Sequence, residues 1–219
     1  MAAQKTILAG VIEAIAKKLI DAEKILTELD SMGDADCGSG VRRGFEAVLA
    51  SMGEISQLEI GDMLKKTGFT LAYTIGGTSG AMLGTGFIET GKSIGDIKDP
   101  SLEDWVKALE SALSVIKRRG GNTRVGDKTL VDALEPAVAT MKALLEKQEN
   151  EGGAPLAPDL FLRAAFAAAQ AGSDRTIEMI AKKGRASYVG ERSKGNRDPG
   201  SLIIVIIFEA ALEESRRYQ

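Results

Sequence analysis

The chain has no histidine among its 219 residues. That removes the usual carrier of a phospho-enzyme intermediate, the usual general base near neutral pH and a common zinc ligand. Any chemistry has to rest on carboxylates, hydroxyls, Arg and Lys, backbone N–H groups and one thiol. Cys37 is the single cysteine, so no internal disulfide forms and a reducing compartment fits. No charge of one sign is in large excess. The net charge is −3 and the sequence pI is near 5.3, which gives no electrostatic pull toward nucleic acid or an anionic membrane. Long hydrophobic runs are missing as well. The longest, Leu202 to Phe208, is far too short to span a bilayer. The opening segment MAAQKTILAG shows neither the apolar core nor the cleavage site of a signal peptide. A cytoplasmic location, with no nucleic acid or membrane partner, is the expectation.

What is present is helix-forming sequence. Hydrophobic residues make up 44% of the chain, enough for one sizeable core, and one domain over 1–219 is the default at this length. Leu8, Val11, Ile12, Ile15, Leu19, Ala22, Leu26 and Leu29 repeat at helical spacing across 6–29. Segments 39–52 and 60–75 follow the same period. A glycine-rich stretch, GGTSGAMLGTG over 76–86, interrupts it before helix resumes toward Lys92. Ser101 and Asp104 form a capping-box pattern ahead of an amphipathic run that ends at Arg119, where Gly120 and Gly121 stop it. Asp127 is placed to cap a helix running to Gln148, with Pro136 inside as its weak point. Residues 151–157 read as a loop. Pro158 opens an alanine-rich helix expected to reach Gly184. Asp198 and Pro199 read as N-cap and first turn of a last helix. That helix contains LIIVIIF, a strand-like run, but EAALEESRR extends it past strand length and no other segment offers a partner strand. The prediction is an all-α fold of about eight helices, antiparallel where the connections are short.

Three irregular stretches hold the polar residues that chemistry needs. In LDSMGDADCGSG, Asp30, Asp34 and Asp36 lie within seven residues. Carboxylates so close repel unless a cation sits among them, and oxygen ligands favour Mg2+ or Ca2+. The spacing is not that of an EF-hand loop. In GGTSGAMLGTG, glycines beside Thr78 and Ser79 allow backbone N–H groups to approach a phosphate; the same glycines also suit a close helix–helix crossing. The third set, GGNTRVGDKT and GRASYVGERSKGNRDPG, carries Arg124, Lys128, Arg185, Arg192, Lys194 and Arg197, a positive rim suited to phosphates.

In order and spacing, LDSMGDADCGSG, TLAYTIGGTSGAMLGTGF, GDKTLVDALEP and KKGRASYVGERSKGNRDPGS resemble the nucleotide-binding L subunit of dihydroxyacetone kinase, over essentially the whole chain. The resemblance implies an up-and-down barrel of eight helices with the nucleotide site in loops at one end. It implies two Mg2+ ions on Asp30, Asp34 and Asp36. It places the phosphates of ADP or ATP against Cys37, Gly38, Ser39, Gly40, Thr78 and Ser79. The nucleoside falls among Gly121, Leu130, Arg185, Asp198, Pro199 and Gly200. No residue of this chain is assigned as catalytic, since the ketone is held on a separate K subunit. The resemblance also implies a phosphocarrier M subunit that recharges ADP; the alternative reading is a nucleotide-loaded regulatory chain that docks a transcription regulator, and a homo-oligomer is left open. Three departures from the common motif L-D-x-x-I-G-D-x-D-H-G stand out: one residue is missing between Asp30 and Gly33, Cys37 replaces His, and Gly40 stands where Asn is common. Cys37 resembles single-chain, ATP-using members of the wider family, which leaves open whether the donor is a phosphotransferase system or free ATP. The ketone is likewise open between dihydroxyacetone and a relative such as erythrulose. A remoter resemblance, to the nucleotide domain of fatty-acid kinase, is opposed by the close match through GRASYVGERS.

Overall fold

The computed structural model describes residues 2–152 and 156–218, and among them the chain forms ten α-helical segments and no strand. They are α1 (Ala2–Asp21), α2 (Glu23–Leu29), α3 (Cys37–Ala50), α4 (Met52–Ile55), α5 (Ile60–Ile75), α6 (Gly77–Ile94), α7 (Leu102–Arg119), α8 (Val131–Glu151), α9 (Pro158–Arg175) and α10 (Pro199–Ser215). The helix expected over 6–29 breaks at Ala22 into α1 and α2, and α4 is a single turn. Among the described residues eight long helices then remain, as the sequence pattern implies. They pack in chain order: α1 on α3, α3 on α5, α5 on α6, and so on to α9 on α10, with α10 returning to α1.

Local capping chemistry explains two of the helix starts. At α7, Ser101 Oγ accepts from Asp104 N–H at 3.1 Å while Asp104 Oδ2 accepts from Ser101 N–H at 2.9 Å, the reciprocal cap that the sequence predicts. At α10, Asp198 Oδ2 accepts from Ser201 N–H at 2.6 Å, with Pro199 in the first turn. Three boundaries differ from expectation. The glycine-rich stretch is not irregular: α6 begins at Gly77. Helix α9 stops at Arg175, followed by a 3-10 turn (Thr176–Glu178) and non-helical chain, not at Gly184; alanine content carries helical propensity but fixes no stop. Helix α8 starts at Val131 with Leu130 before it, so Asp127 does not cap it, and it runs on to Glu151. Of the expected loop over 151–157, Gly152 is left-handed with φ 62°, and residues 153–155 lie outside the described residues.

Glycines set how closely the helices approach. A Cβ on Gly68 of α5 would lie 2.6 Å from the Gly84 carbonyl oxygen of α6, so this pair packs backbone to backbone. A Cβ on Gly172 of α9 would lie 2.1 Å from the Asp132 carbonyl oxygen of α8. That carbonyl is four residues before Pro136, which has no N–H to offer it, so α9 crosses α8 where the helix ladder is open.

Two large apolar clusters fill the interior. One gathers Leu19, Leu26, Phe45, Met63 and Leu71; the other gathers Ile116, Val131, Met141 and Phe161. Helix α10 joins both, with Ile203 and Ala210 in the first and Ile204, Val205 and Phe208 in the second. This double burial explains why its sequence is apolar on all sides and gives no amphipathic stripe. No helix among the described residues is long and apolar enough to cross a membrane.

Candidate functional site: a cleft between helix ends

The connections after α2, between α5 and α6, after α7 and before α10 meet around one cleft of about 370 Å³. Its acidic side is the 30–36 turn. The Asp30 carbonyl accepts from Gly33 N–H at 2.8 Å and Ala35 N–H at 3.2 Å, and Ala35 takes φ 57°. This tight reversal brings one carboxylate oxygen from each of Asp30, Asp34 and Asp36 within 4.8 Å of the others. The missing residue before Gly33 therefore does not remove Asp30 from the cluster. Asp30 Oδ2 also accepts from Cys37 N–H at 3.1 Å. Its pKa is raised, first by desolvation and then by the charges of Asp34 and Asp36. Asp34 pairs with Arg185 Nε at 3.0 Å, and both Asp34 and Asp36 are exposed.

Facing these acids are helix N-termini. Helix α6 starts from Gly76 and Gly77, with φ 77° and 56°, both open where a Cβ would point, and no side chain caps it. The first-turn N–H groups of a helix have no intrahelical acceptor and carry the positive end of its dipole, the arrangement that binds phosphate elsewhere. Thr78 and Ser79 line the cleft from this turn. The rest of the glycine-rich stretch serves the other role the sequence left open: Gly80 and Gly84 are buried against α5. Helix α3 also begins here without a side-chain cap. Its first residue, Cys37, is buried, and desolvation with the nearby Asp30 charge pushes the thiol up to about 12, so it stays protonated.

The remaining sequence-predicted residues divide. Gly40, Leu130, Arg185, Asp198, Pro199 and Gly200 line the cleft. Gly38 is buried against α2, where a Cβ would meet the Glu23 carbonyl oxygen at 2.2 Å. Ser39 Oγ donates to the Asp36 carbonyl at 3.1 Å, and the Gly121 carbonyl accepts from Lys183 Nζ at 2.7 Å; neither forms the cleft wall. Desolvation pushes the Asp198 carboxyl up to about 7.

The expected basic rim is only partly a rim. Arg185 and Arg197 reach the cleft, the latter ion-paired to Asp174. Arg124 lines a separate shallow groove between α7 and α8. Arg192 and Lys194 are exposed away from the cleft wall. Lys128 is buried, 5% exposed, not a surface charge. Sequence reasoning missed Arg119 and Lys183, which do line the cleft; both sit beside glycines that mark a change of direction, the one available signal. It also missed Asp132, whose buried carboxylate accepts from Gly126 N–H at 2.6 Å and Thr129 N–H at 2.8 Å and so shapes the turn that sequence assigned to Asp127.

Residues 31–213 match the family model described as the DAK2 domain. The chain belongs to the DAK2-domain family. Over 84% of its length, and 84% of the relative, this DAK2 domain is 37% identical to the ADP-binding subunit DhaL of the PEP-dependent dihydroxyacetone kinase of Escherichia coli. It is 31% identical, over 90% of both chains, to the ADP-binding subunit of PEP-dependent dihydroxyacetone kinase 1 of Listeria innocua. Crystal structures of the dihydroxyacetone kinase of C. freundii share the fold. The native form superposes with a TM-score of 0.72 at 29% identity. The complex with AMP-PNP and Mg2+ gives 0.69 at 27%. The DAK2 domain described here covers 34% of that longer protein.

Proposed function

We propose that this chain is the nucleotide-binding subunit of a two-component kinase for dihydroxyacetone or a related small ketose. The observation that carries the proposal is the convergence of three carboxylates, within 4.8 Å, opposite the uncapped N-terminus of α6. The donor set fits magnesium: all oxygen, closely grouped, on one short turn, and mutually repulsive without a cation. Asp30, Asp34 and Asp36 are the ligands in this reading. When bound, the metal supplies neutralisation of phosphate charge.

The chain's own residues then do the positioning. The first turns of α3 and α6, with Thr78 and Ser79, offer N–H and hydroxyl donors to the phosphates of ADP or ATP. Leu130, Arg185 and the Asp198–Gly200 turn border the nucleoside side, with Gly38, Ser39 and Gly121 shaping the walls from behind. None of these groups has to move a proton at the transferred phosphoryl group, which suits a chain without histidine. The ketone arrives on a separate K subunit that docks over the cleft, since in-line transfer requires the reacting atoms about 3–3.5 Å apart. The relatives named PEP-dependent favour recharging of bound ADP by a phosphocarrier subunit over exchange with free ATP.

The test is incubation of the purified chain with labelled phosphoryl donor and dihydroxyacetone, with and without a cognate K subunit. Ketone phosphate forms only with the partner present, and no label survives on the denatured chain. Robust phosphorylation by this chain alone, or label retained on protein, contradicts the two-component reading.

A further inference from the structure

Lys128 is the least expected charged residue in the molecule. It is 5% exposed, and its backbone is left-handed with φ 61°, a conformation that non-glycine residues adopt mostly where surroundings impose it. Its ammonium donates to three backbone carbonyls: Ser193 at 2.5 Å, Asn196 at 2.6 Å and Met179 at 3.2 Å. An ammonium has three protons and no acceptor, so this set uses all of them. Although Lys128 borders the cleft, no donor remains for a phosphate.

The three carbonyls belong to the segment between α9 and α10, which holds no α-helix but includes a 3-10 stretch, Arg185–Ser193. That segment carries Arg185, which reaches Asp34 at 3.0 Å, and ends in Asp198. One further bond ties the segment to the 127–132 turn, and two more hold the segment together internally. Lys182 N–H donates to the Asp127 carbonyl at 3.1 Å. Ser193 Oγ accepts from Ala181 N–H at 2.9 Å and donates to the Gly190 carbonyl at 2.6 Å. The turn that presents Lys128 is itself held by the two N–H bonds to Asp132. Arg185 opens a short 3-10 stretch, Arg185–Ser193, broken at Gly190, and these ties fasten that stretch to the rest of the chain.

We propose that Lys128 is a positioning residue, which anchors the 179–198 segment through three carbonyls and so holds Arg185 over the carboxylate cluster without touching the nucleotide. The inference rests on the nucleotide reading for its consequence, and on the hydrogen-bond geometry alone for the tether.

Two measurements on the full chain test it. The first is limited trypsin digestion with mass mapping, since Lys182, Lys183, Arg185, Arg192, Lys194 and Arg197 place cleavage sites throughout the segment. The second is calorimetric affinity for ADP and for AMP with Mg2+. In Lys128→Met, cleavage within 179–198 rises by at least about ten-fold, because three carbonyls lose their donor and local opening becomes easier. Affinity for ADP and AMP falls by a similar factor for both. Lys128→Gln, whose amide offers at most two N–H donors in place of three, shifts both measurements in the same direction by a smaller factor and carries the test if Lys128→Met does not fold. Wild-type cleavage with an affinity loss that grows from AMP to ADP would make Lys128 a direct phosphate ligand and overturn the proposal. A lower melting temperature with wild-type cleavage and affinity would overturn it too. A wild-type chain that binds no ADP would sink the nucleotide reading, while the cleavage rates would still decide the tether.

Discussion

Two groups of acids, on the 30–36 turn and the 127–132 turn, look alike in sequence and are used in opposite ways. Asp127 and Asp132 are buried, 4% and 1% exposed. Their oxygens are spent on the chain itself: Asp127 accepts from Arg124 N–H at 3.1 Å, and Asp132 accepts from two N–H groups. On the other turn, Asp34 and Asp36 are exposed, and three oxygens converge on a shared point. Asp30 accepts from the Cys37 N–H, Asp34 meets the exposed Arg185 at 3.0 Å, and Asp36 has no carboxylate partner among the described residues. The difference lies in where the lone pairs go. Buried and bonded, a carboxylate builds a turn and its loss costs stability. Exposed and crowded, it is repulsive in the free protein and its loss costs ligand affinity.

The sharpest break between the two groups is a pair of substitutions. Asp36→Asn should weaken binding of ADP with Mg2+ by at least about a hundred-fold, or about 2.8 kcal/mol, with no loss in melting temperature. Calorimetry and thermal melting on the same sample check it. Wild-type affinity in this variant would end the metal assignment. Asp132→Ala should do the reverse: it strands the N–H groups of Gly126 and Thr129 and costs about 3 kcal/mol of folding stability, read from urea unfolding. A variant as stable as the parent would show that the turn does not depend on Asp132.

A smaller effect concerns pH. The Asp198 carboxyl moves from 3.8 to about 7 through burial, so the folded chain holds this proton more tightly than the unfolded one. The stability from this group is complete below about 3.8 and is lost as pH rises through about 7. Melting temperature should therefore decline over that window more steeply in the parent than in Asp198→Asn, where the slope flattens. Equal slopes would remove Asp198 as the source. The smallest effect is expected at Cys37. Its thiol is buried and protonated, which makes it a poor metal ligand or nucleophile, so Cys37→Ser should keep ADP affinity within about threefold. Complete loss would give the thiol a role.

The sequence made the helices legible wherever capping chemistry or periodicity acts alone. Ser101 with Asp104, and Asp198 with Pro199, marked two helix starts that the structure reproduces. The apolar run of α10 was legible as helix by length, while its burial in two clusters was not, because all-round hydrophobicity carries no direction. Boundaries failed where long-range contacts decide. Helix α6 accepts glycines because α5 must approach it at Gly68 and Gly84, and α9 ends where Thr176 turns to bond Asp198 N–H at 3.0 Å. In the site, Asp30, Asp34 and Asp36 were legible because they are close in sequence. Asp132 and the buried state of Lys128 were not, since both depend on partners that the fold brings from elsewhere, as far as 68 residues away for Asn196.

The central claim is that the exposed acids hold a cation that holds a nucleotide. It is tested most directly by thermal melting of the unmodified chain with ADP, with ADP plus Mg2+, and with EDTA added to the latter. A ligand that binds only the folded state adds about 2.7 kcal/mol at one hundred times its dissociation constant. The account predicts a clear rise in melting temperature with ADP and Mg2+ together, reversed by EDTA. No rise at saturating ADP or ATP, with or without Mg2+, would contradict it.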